Sequence, residues 1–355
     1  MFSIKPFNTD KSAAIQQVID SKTKPLGALG QLESLAKQLM LIQSQNCELA
    51  TKTLIISQPT MLVFAADHGM AEHGISIAPS EVTRQMVLNF LHGGAAINCF
   101  CRSNNIAMKV IDAGINTPLT SAEKSISEHF IEQRLGAGIN DTSTTRAMTS
   151  SQVQQGLLYG KKITTDIINQ GCNILLLGEM GIGNTSAASA ILSAYSQQDC
   201  EQCVGKGTGI NSQQFSIKKH LVAQAVSRLD PEKIFTDPYY LLKELAGFEM
   251  VQMVGAILAA AEQGIAVLID GFIVTSAALM AEKINPNVRD YLIFAHQSNE
   301  HAHQLMLTML EAKPLLNLDL RLGEGTGAAL ALPLLKAAAS FYNEMASFES
   351  AGVTV

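Results

Sequence analysis

From about residue 54 onward, short apolar runs ("MLVFAA", "MKVI", "NILLL", "AVLI", "YLIFA") alternate with long alanine-rich stretches of helical character. That alternation is the pattern of βαβ units, which build a parallel sheet covered by helices. Ahead of it, residues 11–46 carry "AAIQQVID" and "LESLAKQLMLIQ" at the 3.6-residue period, around a "KPLGALG" break. Behind it, Leu316, Leu318, Leu320 and Leu322 alternate with polar residues, which predicts an extended segment with one buried face. An Ala/Leu-rich helix containing Pro333 follows. The expected fold is therefore an α/β body flanked by helical material from both chain ends. We divide it into residues 1–50, a large α/β part at 51–325, and residues 326–355.

How the apolar runs end bears on function. They run into Asp67 and His68, Asp112 and Gly114, Glu179, Asp270 and Gly271, and His296. In open α/β sheets ligands bind beyond the carboxyl ends of the strands, so these endings predict one shared crevice. The run ending in Glu179 continues as "GEMGIGNTSAASA". Against the phosphate-gripping pattern G-x-x-x-x-G-K-[ST], Gly178, Gly183 and Thr185 fall in place while Asn184 holds the lysine position. A cradle without the lysine that reaches outer phosphates predicts a ligand with one phosphate and no phosphoryl transfer. A second glycine cluster, "VGKGTGIN", could present backbone N–H groups to a phosphate or ribose, with Lys206 or Lys218 supplying charge. "LHGGAAIN" reads as tight helix packing.

Glu324 sits in "RLGEGTGA" between two glycines, after the leucine-faced segment. Neighbouring leucines would desolvate it and raise its basicity, as a general base requires. His296, His301 and His303 lack the spacing of a zinc-binding helix, and there is no G-x-S-x-G elbow for a serine nucleophile. Cys200 and Cys203 form a lone C-x-x-C, short of the four ligands a structural zinc needs, and read as structural thiols. A net charge of −6 with no basic block gives no footprint for nucleic acid or anionic lipid. The richest apolar stretch, "VGAILAAAEQGIAVLIDGF", is interrupted by Glu262, Gln263 and Asp270, so no membrane span is expected. The first residues lack the apolar core of a signal peptide, and the expected location is the cytoplasm.

Taken together, "KTKPLGALGQLESLA", "VFAADHGMAEHGIS", "NFLHGGAAIN", "GEMGIGNTSAASA", "VGKGTGI", "HQSNEHAH" and "LDLRLGEGTGAALALPLLKAA" resemble the nicotinate-nucleotide–dimethylbenzimidazole phosphoribosyltransferases, in the family's order and over nearly the whole chain. The resemblance implies transfer of phosphoribosyl from nicotinate mononucleotide to 5,6-dimethylbenzimidazole for the cobalamin nucleotide loop. It implies no cofactor, a Rossmann-like sheet with a small helical domain made from both chain ends, and a homodimer. By resemblance Glu324 is the base. Glu179, Gly181, Ile182, Gly183, Asn184, Thr185, Gly205, Lys206, Gly207 and Lys218 would hold the phosphoribosyl group. Ala78, Pro79, Met180, Asp270, Gln297, Ser298 and Leu322 would surround the benzimidazole.

This chain departs from the family at Ala78, where many relatives carry tyrosine or serine, and at Lys206, where arginine is common. Ala78 leaves the preferred acceptor open, with adenine or a phenol as alternatives to dimethylbenzimidazole. A binder that senses a nucleotide, with no turnover, is the alternative from another class.

Overall fold

The computed structural model describes residues 2–45, 52–207 and 209–354. The expected division at residue 50, and Thr208 in the second glycine cluster, lie outside them. Six strands form the central sheet: β1 (Thr60–Ala66), β2 (Ala107–Gly114), β3 (Phe130–Glu132), β4 (Ile174–Met180), β5 (Ala266–Ile269) and β6 (Leu292–Phe294). All neighbours pair parallel, in the order β3-β2-β1-β4-β5-β6. The winding direction reverses between β1 and β4, so a crevice opens above that pair.

β1 is buried along its whole length, which is why "TMLVFAA" is continuously apolar where a half-exposed strand would alternate. Phe64 and Met61 in it are wholly shielded from solvent, and such side chains each contribute about 1.5–3 kcal/mol. The helix Phe248–Glu262 packs against β1, β2, β4 and β5 and is buried nearly throughout, so its sequence shows no polar stripe. The segments from the two chain ends meet: helix Thr326–Glu344 packs on helix Gln31–Gln43, Thr23 N–H donates to Ala346 O (3.0 Å), and Phe348 N–H donates to Ser21 O (3.0 Å).

One expectation fails. The leucine-faced segment before Glu324 has only Leu316–Asn317 in extended pairing (β8), parallel to His296–Gln297 (β7). Leu318 and Leu322 are 53% and 54% exposed, so no buried face forms. Asp319 adopts φ +55°, which breaks the extended run, so that Leu316 ahead of it packs against the core while Leu318 and Leu322 find no layer to cover them. The strand endings also do not all converge. Asp112 is tied to Arg134 Nη1 (2.7 Å) and to the N–H of Ile115 (2.9 Å), and it does not line the cavity beyond the end of β4.

Candidate active site

Beyond the end of β4 the chain turns over Gly181–Gly183 into the helix Asn184–Ser196, beside a cavity of about 280 Å³. Gly183 takes φ +97°, a conformation that favours glycine, and no side chain caps the helix start. The positive end of the helix is thus left to the cavity, the arrangement that suits an anion. The loop rests on β1. A Cβ on Gly181 would stand 2.3 Å from the carbonyl oxygen of Ala66 and 3.3 Å from the ring of His68. His68 in turn is hydrogen-bonded to the buried Glu249 (2.8 Å). The N–H of Ile182 donates to Thr83 Oγ1 (3.1 Å).

Gly178 does not belong to this cradle. It lies within β4, where its bare Cα lets the Glu324 turn approach, so the likeness to the phosphate-loop spacing was coincidental at that end. The cation missing from the Asn184 position comes from another helix. Lys218, on Ser212–Ser227, is 2% exposed and donates from Nζ to Thr185 Oγ1 (2.9 Å) and to Gly205 O (3.0 Å). Burial pushes its ammonium down to about 8, opposed by the nearby Glu300 carboxylate. That helix is set by a capping box, Asn211 accepting from Gln214 N–H (2.9 Å) and Gln214 Oε1 from Asn211 N–H (3.2 Å). Gln214 Nε2 also donates to Gly74 O and Ser76 O (3.0 and 2.9 Å), which joins the lysine's helix to the segment carrying Ala78.

Glu324 lies on the wall of the same cavity, 5% exposed. Its φ of +63° is rare for a residue with a side chain, and Gly323 (+86°) and Gly325 (+88°) on either side adopt the same hand. Such backbone strain is held only where the surroundings over-determine it. Here the following helix starts at Thr326, whose N–H and hydroxyl both donate to Gly323 O (3.0 and 2.8 Å). Burial raises the Glu324 pKa, the N–H of Ile97 donating to Oε2 (3.3 Å) works against this, and the negative charge of Asp270 adds to the rise. The desolvation expected from the leucines comes instead from the body of the protein, since Leu318 and Leu322 are exposed.

Two further carboxylates border this point. Glu179, hydrogen-bonded by the Asn184 amide, is pushed up to about 8 by burial and by the charges of Asp270 and Glu249. Asp270 is also raised by burial; its Oδ1 accepts from Ala328 N–H (2.9 Å) and stands 3.6 Å from His296 Nε2. The lining also has an apolar part, with Ile75, Ile77, Val82 and Met86 besides Ala78, and Phe272, Ile273 and Val274. His303, behind it, accepts from Ser298 N–H at Nδ1 (2.9 Å). Its Nε2 therefore carries the proton and donates to Thr275 Oγ1 (3.0 Å). Burial drives its pKa down to about 3, so it is a neutral brace for the Ser298 backbone.

Of the residues expected at the site, the cavity wall includes Ala78, Glu179, Met180, Gly181, Ile182, Gly183, Asn184, Thr185, Lys206, Gly207, Lys218, Asp270, Ser298, Leu322 and Glu324. Pro79, Gly205 and Gln297 are not on it. Gly205 reaches it through the carbonyl that holds Lys218 and through its close approach to Glu300, and Gln297 is paired into β7. The sequence reading missed Ile97, whose N–H reaches Glu324 from the start of helix Ala96–Asn104, within the cluster taken for packing alone. It also missed Glu300 and Arg321, both on the wall. Each stands within four residues of a residue that was singled out, Ser298 and Glu324.

A family model described as phosphoribosyltransferase matches residues 4–353. A nicotinate-nucleotide–dimethylbenzimidazole phosphoribosyltransferase of Vibrio parahaemolyticus is 58% identical over 97% of this chain and 99% of its own length. One of the same name from Vibrio cholerae is 57% identical, over 97% and 98%. Among solved structures, CobT from Thermus thermophilus superposes with a TM-score of 0.89 at 39% identity, covering 97% of this chain and 98% of the other. On this similarity over nearly full length, the chain belongs to the nicotinate-nucleotide–dimethylbenzimidazole phosphoribosyltransferase family.

Proposed function

We propose that this chain moves the 5-phosphoribosyl group of nicotinate mononucleotide onto 5,6-dimethylbenzimidazole, with Glu324 as general base, giving nicotinate and α-ribazole 5′-phosphate for the cobalamin nucleotide loop. The observation that carries the mechanism is the position of Glu324, a buried carboxylate of raised basicity on the same cavity wall as the phosphate cradle. The pyridine nitrogen of the donor is already cationic. As its bond to C1′ breaks it takes the electron pair and leaves as a neutral ring, so no acid is needed. A benzimidazole ring nitrogen forms the new bond to C1′, and the proton on the other ring nitrogen passes to Glu324. Attack opposite the leaving ring inverts C1′, which gives the α configuration.

Gly181–Thr185, Gly207 and Lys218 hold the phosphate and ribose in this reading, and the apolar wall around Ala78 receives the flat acceptor. The small Ala78 side chain favours a second reading of the acceptor, in which a differently shaped base such as adenine is also used. Residues 1–50 and 326–355 make up the small domain and 51–325 the large one, a division supported by the hydrogen bonds between Ser21, Thr23, Ala346 and Phe348. Family membership supports a homodimer, testable as a solution mass of twice 38.0 kDa. Among the described residues no helix is long and apolar enough to cross a membrane, and we place the enzyme in the cytoplasm.

The decisive experiment incubates the protein with nicotinate mononucleotide and dimethylbenzimidazole, with adenine in parallel, and follows nicotinate release and the anomeric form of the product. Release with an α-riboside is expected, and Glu324→Gln should keep donor binding while turnover falls on the order of 10²-fold or more. Tight donor binding with no release to either acceptor would leave a sensor, and unimpaired turnover in Glu324→Gln would remove the base from its role.

A further inference from the structure

We propose that Glu300 is the residue that recognises the ribose hydroxyls of the donor and so selects ribosyl over deoxyribosyl substrates; this rests on the transferase reading above. Glu300 is half-buried on the cavity wall. Its backbone is held on both sides, its N–H pointing to Ser298 Oγ (3.4 Å) and its carbonyl accepting from His303 N–H (3.0 Å). Its Oε1 accepts from Gly207 N–H (3.2 Å), and no Cβ on Gly205 could coexist with that carboxylate, 2.3 Å away. Among the described residues, that bond is the only hydrogen bond of the side chain, so the carboxylate is anchored at one oxygen with acceptor capacity to spare.

What could satisfy the rest follows from the chemistry of the donor. A carboxylate only accepts hydrogen bonds. Nicotinate mononucleotide offers an anionic phosphate, an anionic ring carboxylate and a pyridinium nitrogen without a proton. Its ribose 2′- and 3′-hydroxyls are its only strong donors. Lys218, beside Glu300, marks where the phosphate is held: its Nζ bonds Thr185 at the start of the cradle helix and lies 3.7 Å from where a Cβ of Gly207 would be. A sugar tethered to that phosphate brings its diol to the adjacent wall. Acidic residues serve the same purpose for ribose in dinucleotide folds. Glu179 and Asp270 are less suited to it, because they are buried, 5% and 2% exposed, where Glu300 is only half-buried.

The test compares kcat/KM for nicotinate mononucleotide and its 2′-deoxy and 3′-deoxy analogues in the wild type, Glu300→Gln and Glu300→Ala. Loss of hydrogen bonds to a charged acceptor should cost the wild type roughly 10- to 100-fold on at least one deoxy donor. Both variants should lose a similar factor on the ribosyl donor and discriminate the deoxy donors by no more than about threefold. A variant that is slow on every donor yet discriminates as the wild type does would show a loop anchor only and overturn the proposal. Tighter binding of inorganic phosphate by Glu300→Gln, with discrimination intact, would overturn it in favour of a carboxylate that merely fills the phosphate cradle. Calorimetric binding of ribose 5-phosphate against 2-deoxyribose 5-phosphate needs no transfer. If the wild type distinguishes them and Glu300→Gln does not, the assignment stands even where nicotinate release fails and the transferase reading falls.

Discussion

Gly178→Ala should disable the enzyme from a position that touches neither substrate. Gly178 lies inside β4, paired with Val63, off the cavity wall. A Cβ there would stand 2.3 Å from the carbonyl oxygen of Glu324, 2.6 Å from its carbonyl carbon and 2.7 Å from Gly325 N. Ordinary contact between non-bonded heavy atoms begins near 3.4–3.5 Å, so the 2.3 Å gap must open by roughly 1.1 Å. All the atoms struck are backbone, and they belong to a turn of three successive left-handed residues with no slack side chain to yield. The carboxylate must move with its backbone. A displacement of about 1 Å in a catalytic group costs on the order of 10²-fold in rate, while overpacking a strand costs about 1–3 kcal/mol of stability. The assay is nicotinate release under saturating donor and acceptor, with donor affinity from calorimetry and folding from thermal melts. A fall in kcat of about 10²-fold with nearly unchanged donor affinity is expected. A folded Gly178→Ala enzyme with kcat within about threefold of wild type would refute the idea that this contact positions Glu324.

Lys218→Met should weaken binding of the donor and of inorganic phosphate by about 10- to 100-fold with little change for the benzimidazole, read by calorimetry. Because burial brings the Lys218 ammonium down to about 8, raising pH through that value removes the charge, and donor affinity should fall toward about tenfold per pH unit above it. Glu179, raised to about 8 by burial, keeps its proton when folded while the unfolded chain ionises. Its contribution to stability is therefore full below about pH 4.5 and is lost as pH rises to about 8. Glu179→Gln should flatten that decline, by up to ~5 kcal/mol as an upper limit, seen as a Tm advantage that grows from pH 5 to pH 8. Ala78→Tyr should narrow the apolar wall and shift the ratio of dimethylbenzimidazole to adenine turnover; an unchanged ratio would show that Ala78 does not set the acceptor.

The parallel sheet was legible because β1 and β4 at its centre are buried on both faces, and "MLVFAA" or "NILLL" cannot be read as alternating surface strands. The site was legible where chemistry and chain direction coincide, at the ends of β4 and β5, since Glu179 and Asp270 follow apolar runs directly. It was not legible where a contact depends on residues far apart in sequence. The Ile97 N–H that meets Glu324 is 227 residues away, and the carboxylate that meets Gly207 is 93 residues away. The leucine alternation before Glu324 misled because periodicity reports a face only if some other layer is there to cover it.

That error also changes the account of why Glu324 is basic. Had the leucines enclosed it, the base would depend on a short segment whose Leu318 and Leu322 are in fact more than half exposed. Instead its backbone is pressed against Gly178 in the central strand and its carboxylate meets the first turn of the helix Ala96–Asn104. The two influences oppose each other: the N–H of Ile97 favours the charged form, while burial and the charge of Asp270 favour the neutral one. Both matter to a base, since N–H groups that stabilise the charged form make it a weaker acceptor for the benzimidazole proton, while burial and a neighbouring negative charge make it a stronger one. Removing the Asp270 charge as Asp270→Asn should accordingly move the acidic limb of the kcat profile to lower pH, because it lifts one of the two influences that hold the Glu324 pKa up.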